Sequence, residues 1–247
     1  MRLKEEHLSS PLKKRGYNRW LFSIIASEYN TISRVLSFGM DQYWKRELVK
    51  FLPDMCSPLI LDCACGTGDL SMMLYAKFRT AKVVAIDLSK RMLEIFLHRQ
   101  KPVQTVSVVL ADVCNIPVCQ NCCDLVTGGY VLRNAPDLRE FLLSVYAVLK
   151  PGGQGAFLDF SKHTNRFLCR LQYLLLWIWG GFWGILLHGN PQIYGYIAES
   201  LKVYPDSKGL EALLRNTGFE SVVTRKYLLG MIAIVRCRKP VNMQTGI

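Results

Sequence analysis

The chain predicts an α/β fold: a mostly parallel seven-stranded sheet with helices on both faces and an antiparallel hairpin at the C-terminal end. Three observations predict it. Short apolar runs alternate with amphipathic segments between Leu59 and Phe160, and such alternation demands right-handed crossovers within a parallel sheet. The first run breaks into a small-residue turn, Ala64-Cys65-Gly66-Thr67-Gly68. The second closes on a carboxylate, Asp87, 19 residues past Gly68.

The elements follow in order. Tyr17–Lys50 reads as helical. A strand over 59–64 leads into a helix over 69–79, then a strand over 82–88, a helix over 89–99 and a strand over 106–112. Asp124–Gly129 gives the next strand and 137–149 the next helix. The turn Lys150-Pro151-Gly152-Gly153 then precedes a strand over Gly155–Phe160. From Asp206 a short helix carries Leu210, Leu213 and Leu214 on one face, with Gly218 as its stop. Ser221–Tyr227 and Met231–Val235, joined at Gly230, read as the terminal hairpin.

The small-residue turn carries chemistry. Where a backbone bends sharply and touches a ligand there is no room for a Cβ, so glycine is required. A carboxylate at the end of the second strand accepts two hydrogen bonds from a vicinal diol, so Asp87 reads as a ribose clamp, with Leu88 beside it. The turn lacks the third glycine of a dinucleotide site and reads D-x-A-x-G-x-G from Asp62, with Asp69 next. Acidic residues on both flanks repel a diphosphate. They favour a cationic cofactor without phosphate, and S-adenosylmethionine fits. A third strand, VSVVLAD, ends in Asp112. Its carboxylate can accept from an adenine amino group while the Val113 N–H reaches a ring nitrogen; the alternative is that Asp112 only caps the following turn.

Composition bounds the rest. The chain has 247 residues, half of them hydrophobic, enough for one large domain. Its net charge is +12. Residues 1–20 contribute a net of four positive charges and residues 221–247 a further five. Basic ends around an apolar body favour an anionic membrane surface, with nucleic acid as the competing reading. Nine cysteines without paired spacing suit a reducing compartment. Cys114, Cys119, Cys122 and Cys123 match no closed zinc set, so no metal site is expected, and Cys123 reads as a buried small hydrophobe. The polar start, MRLKEEHLSSPLKKRG, shows no cleavable signal. An insertion over 161–205 has an uncharged centre, Tyr173–Leu187, with three of the five tryptophans. It is short for a span and interrupted by Gly180, Gly181 and Gly184, which leaves a membrane-dipping helix or a lid over the site.

These residues support a resemblance. YNTISRVLSFG (29–39) with Trp44-Lys45, LDCACGTGDL (61–70), AIDLSKRML (85–93), LRNAPD (132–137), VLKPGG (148–153) and YGYIAESLKVYPD (194–206) together resemble the UbiE-type C-methyltransferases of ubiquinone and menaquinone biosynthesis. The likeness runs from about Trp20 to Lys239. It implies a Rossmann-like class I S-adenosylmethionine fold that methylates a ring carbon of a polyprenylated quinol precursor. It also implies that Asp62, Ala64, Gly66, Gly68, Asp87 and Asp112 bind the cofactor, and that Tyr29, Arg133 and Asn134 serve catalysis. A cation such as Arg133 favours a phenolate, which sends electron density to the ring carbon; the bland alternative is an ion pair with Asp137 four residues on.

The division expected is an N-terminal basic segment with substrate-side helices over 1–51, and a cofactor-binding domain over 52–247 with an apolar lid over 161–205. The expected location is the cytoplasmic side of a membrane, peripherally, or the matrix side of the mitochondrial inner membrane. A homo-oligomer or a quinone-biosynthesis complex stays open. Departures from the family pattern fall on the substrate side. Asp41-Gln42 stand where His-Arg is usual, Tyr130-Val131 replace Phe-Gly, and Leu229–Val235 replace G-G-I-V-A-I-H. They motivate two further readings, a quinone modification such as the amino transfer of rhodoquinone formation, and a non-catalytic scaffold. An RNA methyltransferase rests on charge alone, without an N-P-P-Y loop, so no nucleic-acid partner is expected.

Overall fold

The computed structural model describes residues 10–100 and 106–241. The basic residues Arg2 and Lys4 lie outside them. The helical N-terminal stretch divides into three helices: α1 (Pro11–Ile25), α2 (Tyr29–Leu36) and α3 (Asp41–Phe51). Proline at the first position starts α1, where a missing N–H costs nothing. Gly39, at φ +81, separates α2 from α3.

The central sheet is built from β1 (Leu59–Cys63), β2 (Lys82–Asp87), β3 (Val106–Leu110), β4 (Cys123–Gly129), β5 (Leu149–Phe160), β6 (Glu220–Tyr227) and β7 (Ile232–Arg238). Their spatial order is β3-β2-β1-β4-β5-β7-β6. The first five strands pair in parallel, and β7 runs antiparallel to both β5 and β6. The crossovers are α4 (Asp69–Lys77), α5 (Lys90–Arg99), and α6 (Val131–Asn134) with α7 (Leu138–Val148). After β5 come α8 (Arg166–His188), α9 (Gln192–Val203) and α10 (Ser207–Asn216).

Strand residues alternate between two cores, as the pleat requires. Ile60, Leu125, Ala156, Leu158 and Ile234 pack with Trp44, Leu48, Leu74 and Phe96 of α3, α4 and α5. Leu61, Val126, Phe157 and Val235 face the other way, onto Phe141 and Val145 of α7 and Leu210 and Leu214 of α10. A third core joins α1, α2 and α9 through Tyr17, Leu21, Ile32, Tyr194 and Tyr196, and sits above the carboxyl ends of the parallel strands. Ligands bind at that end of such sheets.

Two expectations about this architecture need correction. Lys150–Gly153, expected as a turn, belongs to β5: a register shift lies opposite Cys123 and Leu125, and Gly152 and Gly153 exchange backbone bonds with Lys239. The glycines of the apolar insertion do not interrupt it. α8 is continuous for 23 residues. A Cβ on Gly180 would meet the Tyr194 carbonyl at 2.7 Å, and one on Gly184 the Asn190 carbonyl at 2.5 Å. These glycines are contact points for α9, not breaks.

The β1 turn is welded to the sheet below it. Asp62 is fully buried and accepts from Ser71 Oγ of α4 at 2.5 Å and from Thr127 Oγ1 of β4 at 3.0 Å. Burial pushes its carboxyl up to about 6 against the pull of those two hydroxyls. Gly68 caps α4 at φ +88, and a Cβ there would lie 2.2 Å from the Phe96 ring.

Two measurements check these points. Gly68→Ala should cost about 3 kcal/mol or more in urea unfolding, because overpacking adds to left-handed strain. Gly39→Ala, with nothing within 4 Å of the new Cβ, should cost only about 1 kcal/mol. The buried Asp62 favours the protonated folded state, so its contribution to stability is full below the ordinary value of 3.8 and is lost as pH rises through about 6. The melting temperature of the wild type should therefore fall relative to that of Asp62→Asn across that window. The difference corresponds to about 2–3 kcal/mol. Parallel melting curves would refute the assignment.

Candidate active site

Two cavities meet above the carboxyl ends of β1, β2 and β4. The narrow one, about 70 Å³, is lined by Ala64 and Gly66 from the β1 turn, Asp87 and Leu88 from the end of β2, and Asp112 and Val113 beyond β3. Six of the eight cofactor residues read from the sequence thus share one cleft. The turn reaches it through left-handed backbone at Ala64 (φ +53) and Gly66 (φ +56). Asp87 Oδ2 accepts the Gly66 N–H at 2.8 Å and Oδ1 accepts the Ser89 N–H at 2.8 Å. Two of its lone pairs fix the turn and the others remain for a ligand.

Asp62 and Gly68 stand apart from these six. Asp62 borders a smaller adjoining hollow together with Ala64, Gly66 and Lys45. Gly68 lines neither cavity and serves the α4 cap. Asp112 does both things weighed for it: Oδ1 accepts the Cys114 N–H at 2.9 Å as a turn cap, and Oδ2 pairs with Arg15.

The wide cavity, about 460 Å³, lies beside the cleft. Its walls are apolar side chains of α1, α2, α8 and α9, including Leu21, Ile25, Ile32, Leu175, Trp179 and Ile193. Tyr29, Tyr130 and Asn134 border both cavities. Burial pushes the Tyr29 phenol up to about 12, so it stays protonated. Asn134 donates to the Tyr130 carbonyl at 2.8 Å, and its own Oδ1 is buried with no partner.

Arg133 forms the floor. It is 4% exposed, and its Nε lies 3.5 Å from Asp159 Oδ1 at the end of β5. Its Nη1 donates to Ser200 of α9, and its guanidinium lies over the faces of Phe160 (5.2 Å) and Tyr196 (5.9 Å). Asp137, the alternative partner, is occupied at the start of α7, where Oδ1 accepts from the Arg139 and Glu140 N–H groups.

Helix α1 supplies residues that the sequence reading missed. Asn18 and Phe22 border the cleft. Asn18 donates to the Asn134 carbonyl at 2.6 Å and accepts from Tyr196 at 2.7 Å. Lys14 donates to the Arg133 carbonyl at 3.0 Å, and burial, with Arg133 nearby, lowers its ammonium to about 8. A signal was present: Lys14, Tyr17, Asn18, Leu21 and Ile25 fall on one helical stripe, so the two polar members turn inward with the apolar ones. The charge read at the ends is correspondingly reduced at the surface. Lys14 and Lys239 are buried, Arg15 pairs with Asp112, and Arg225 and Arg236 cover the Phe51 ring.

The donor set of the cleft fits S-adenosylmethionine. It offers carboxylates for hydroxyl and amino groups, an orphaned buried amide oxygen on Asn134, and a turn whose φ values bring backbone close to a ligand. The cations beside the β1 turn are committed elsewhere, Lys45 to Asp41 and Asp69, and Arg99 to Asp69 and the Thr67 carbonyl.

The chain is 34% identical over 237 residues to a demethylmenaquinone methyltransferase of Symbiobacterium thermophilum, covering 91% of this chain and 93% of the relative. It is 32% identical over 228 residues to the ubiquinone/menaquinone biosynthesis C-methyltransferase UbiE of Pseudomonas putida, covering 89% and 88%. Among solved structures, a possible histamine N-methyltransferase from Thermotoga maritima, dependent on S-adenosylmethionine, superposes with a TM-score of 0.65 at 21% identity, covering 90% of this chain and 99% of that one. Phosphoethanolamine N-methyltransferase 2 of Haemonchus contortus, solved with S-adenosylmethionine, superposes with a TM-score of 0.61 at 16% identity, covering 80% and 52%. These two establish the fold, a class I methyltransferase. The profile of the ubiE/COQ5 methyltransferases matches residues 12–239, and the chain belongs to that family.

Proposed function

We propose that this methyltransferase, using S-adenosylmethionine, methylates a ring carbon of a polyprenylated quinol at the surface of a membrane. The observation that carries the reading is the placement of Arg133, a buried cation on the floor of a mainly apolar cavity that adjoins the cofactor cleft. When bound, S-adenosylmethionine supplies an electrophilic methyl group on a cationic sulfur. The protein's task is to make the ring carbon nucleophilic and hold it still. Arg133 faces one buried carboxylate while Lys14 adds a second nearby positive group. The field inside the cavity therefore favours an ionised ring oxygen, and low polarity strengthens it. Tyr29, Tyr130 and Asn134, at the boundary, are placed to orient the ring toward the cleft, and apolar walls exclude water.

The outer face of α8 supports the membrane part. Phe167, Leu171, Leu174, Phe182 and Ile185 follow at helical spacing and are all exposed. At 23 residues, α8 is long and apolar enough to cross a bilayer by length and composition alone. Leu175, Leu176, Ile178 and Trp179 of the same helix line the cavity, which favours a helix lying in the interface as the wall of a lipid-fed pocket. The cavity mouth continues that surface through Phe38, Leu228 and Leu229, with Leu229 91% exposed on left-handed backbone.

Expression in a host lacking its quinone methyltransferase, with mass analysis of the lipid quinones, tests the reaction. One added methyl per ring is expected. An exchange of methoxy for amino, or an unchanged profile, would refute it. Arg133→Lys should lower kcat by about a hundredfold, while calorimetric binding of S-adenosylhomocysteine stays at the wild-type level.

A second test concerns the surface. Leu174→Asp with Ile185→Asp should reduce sedimentation with phosphatidylcholine–phosphatidylglycerol vesicles at least tenfold, by roughly 25 cal/mol per Å² of apolar area kept in water. Turnover of a short-chain, water-soluble quinol should persist. Vesicle binding indifferent to both changes would remove α8 from the interface.

A further inference from the structure

Tyr130 is the first residue past β4, and its backbone lies in the left-handed region at φ +62. An aromatic residue there carries roughly 1–2 kcal/mol of strain. The surroundings hold it: its N–H donates to the Leu158 carbonyl at 2.6 Å, its carbonyl accepts from Asn134, and its ring packs against Phe160 at 5.9 Å. The result is a hydroxyl aimed at one atom. Tyr130 Oη donates to Asp41 Oδ1 at 3.0 Å, across 89 residues of chain.

Asp41 is 1% exposed. Lys45 Nζ holds its other oxygen at 2.8 Å and is shared with Asp69 at 3.2 Å. Arg99 and Gln42 in turn hold Asp69 at 2.7 Å each, and Arg99 also donates to the Thr67 carbonyl in the β1 turn. Both Tyr130 and Asp41 line the wide cavity, and Tyr130 reaches the cofactor cleft as well. Two residues distant in sequence are thus hydrogen-bonded partners at the junction of the cavities.

We propose that Tyr130 and Asp41 form a specificity site that recognises a hydroxyl on the acceptor ring and so selects the hydroquinone over the quinone. The reason is donor and acceptor arithmetic. The one Tyr130 proton is committed to Asp41, and burial keeps it on the phenol. What the pair turns toward the cavity is lone pairs only, from Oη and the carboxylate. A ring O–H can donate to them. A quinone carbonyl brings lone pairs against lone pairs and loses its water contacts with nothing in return. The form selected is the electron-rich one that methyl transfer to carbon requires. This inference rests on the quinol reading above.

The test is equilibrium binding to the full chain under anaerobic conditions, with S-adenosylhomocysteine present, using 1,4-naphthoquinol and 1,4-naphthoquinone as probes. The wild type should bind the quinol about tenfold more tightly than the quinone, and Tyr130→Phe should bring the two within about twofold. In turnover the same variant should raise KM for the quinol more than it lowers kcat. If Tyr130→Phe keeps the wild-type ratio and loses only melting temperature, the pair is a brace between α3 and β4, and the inference falls while the quinol reading stands. If the wild type binds neither probe, both fall.

Discussion

The arrangement of this protein turns on a buried guanidinium. Arg133 of α6 sits where three further elements converge, and each contributes partners. Lys14 of α1 holds its carbonyl, Asp159 of β5 its charge, and Ser200 and Tyr196 of α9 its edge and face. Removing one partner of a buried pair typically costs 3–5 kcal/mol. The interaction therefore ties the covering helices to the sheet as firmly as apolar packing does. It also leaves a positive centre under a cavity whose walls are mainly apolar, with Asp41, Tyr130 and Asn134 among its few polar members. One pair thus gives both the closure of the site and its electrostatic character.

The neighbouring carboxylates divide in the opposite sense. Asp87 holds the β1 turn through backbone N–H groups, and Asp62 ties that turn to α4 and β4 from beneath. Asp69 and Asp41 share Lys45 on the flank. Anionic and amide groups surround the narrow cleft, and a cation lies under the wide cavity. A ligand with a positive sulfur and a ring that must become negative meet at the boundary between them. Neither half of the site needs a metal to supply charge of the right sign.

The cofactor half was legible in the sequence because its signal is local. Gly66, Asp87 and Asp112 each stand at or just past the end of an apolar strand, and strand ends in a parallel sheet share one edge. The acceptor half was less legible because its contacts are long-range. Lys14 and Arg15 look like surface charge in a basic terminus; only their place on the stripe of Tyr17, Leu21 and Ile25 tells Lys14 to turn inward. Gly180 and Gly184 have the same composition as breakers, and become contact points only once α9 lies against them. The link between Asp41 and Tyr130 spans 89 residues and leaves no periodicity at all.

Inward-turned charge changes what can hold such a protein at a lipid surface. With Lys14 and Lys239 buried and Arg15 paired with Asp112, electrostatic attraction to anionic headgroups loses three of its apparent donors. The apolar stripe of α8 offers a different attraction, one insensitive to salt. On the reading proposed here the two facts are connected. A mouth ringed by Phe38, Leu228 and Leu229 and sealed by acyl chains admits no water to the cavity. A charge pair's field grows as the effective dielectric falls, by about fourfold between a value of 80 and one near 20 at fixed distance. Docking on lipid would then deliver the acceptor and strengthen the hold of Arg133 on its oxygen in the same event, so the apolar face and the buried cation act as one device.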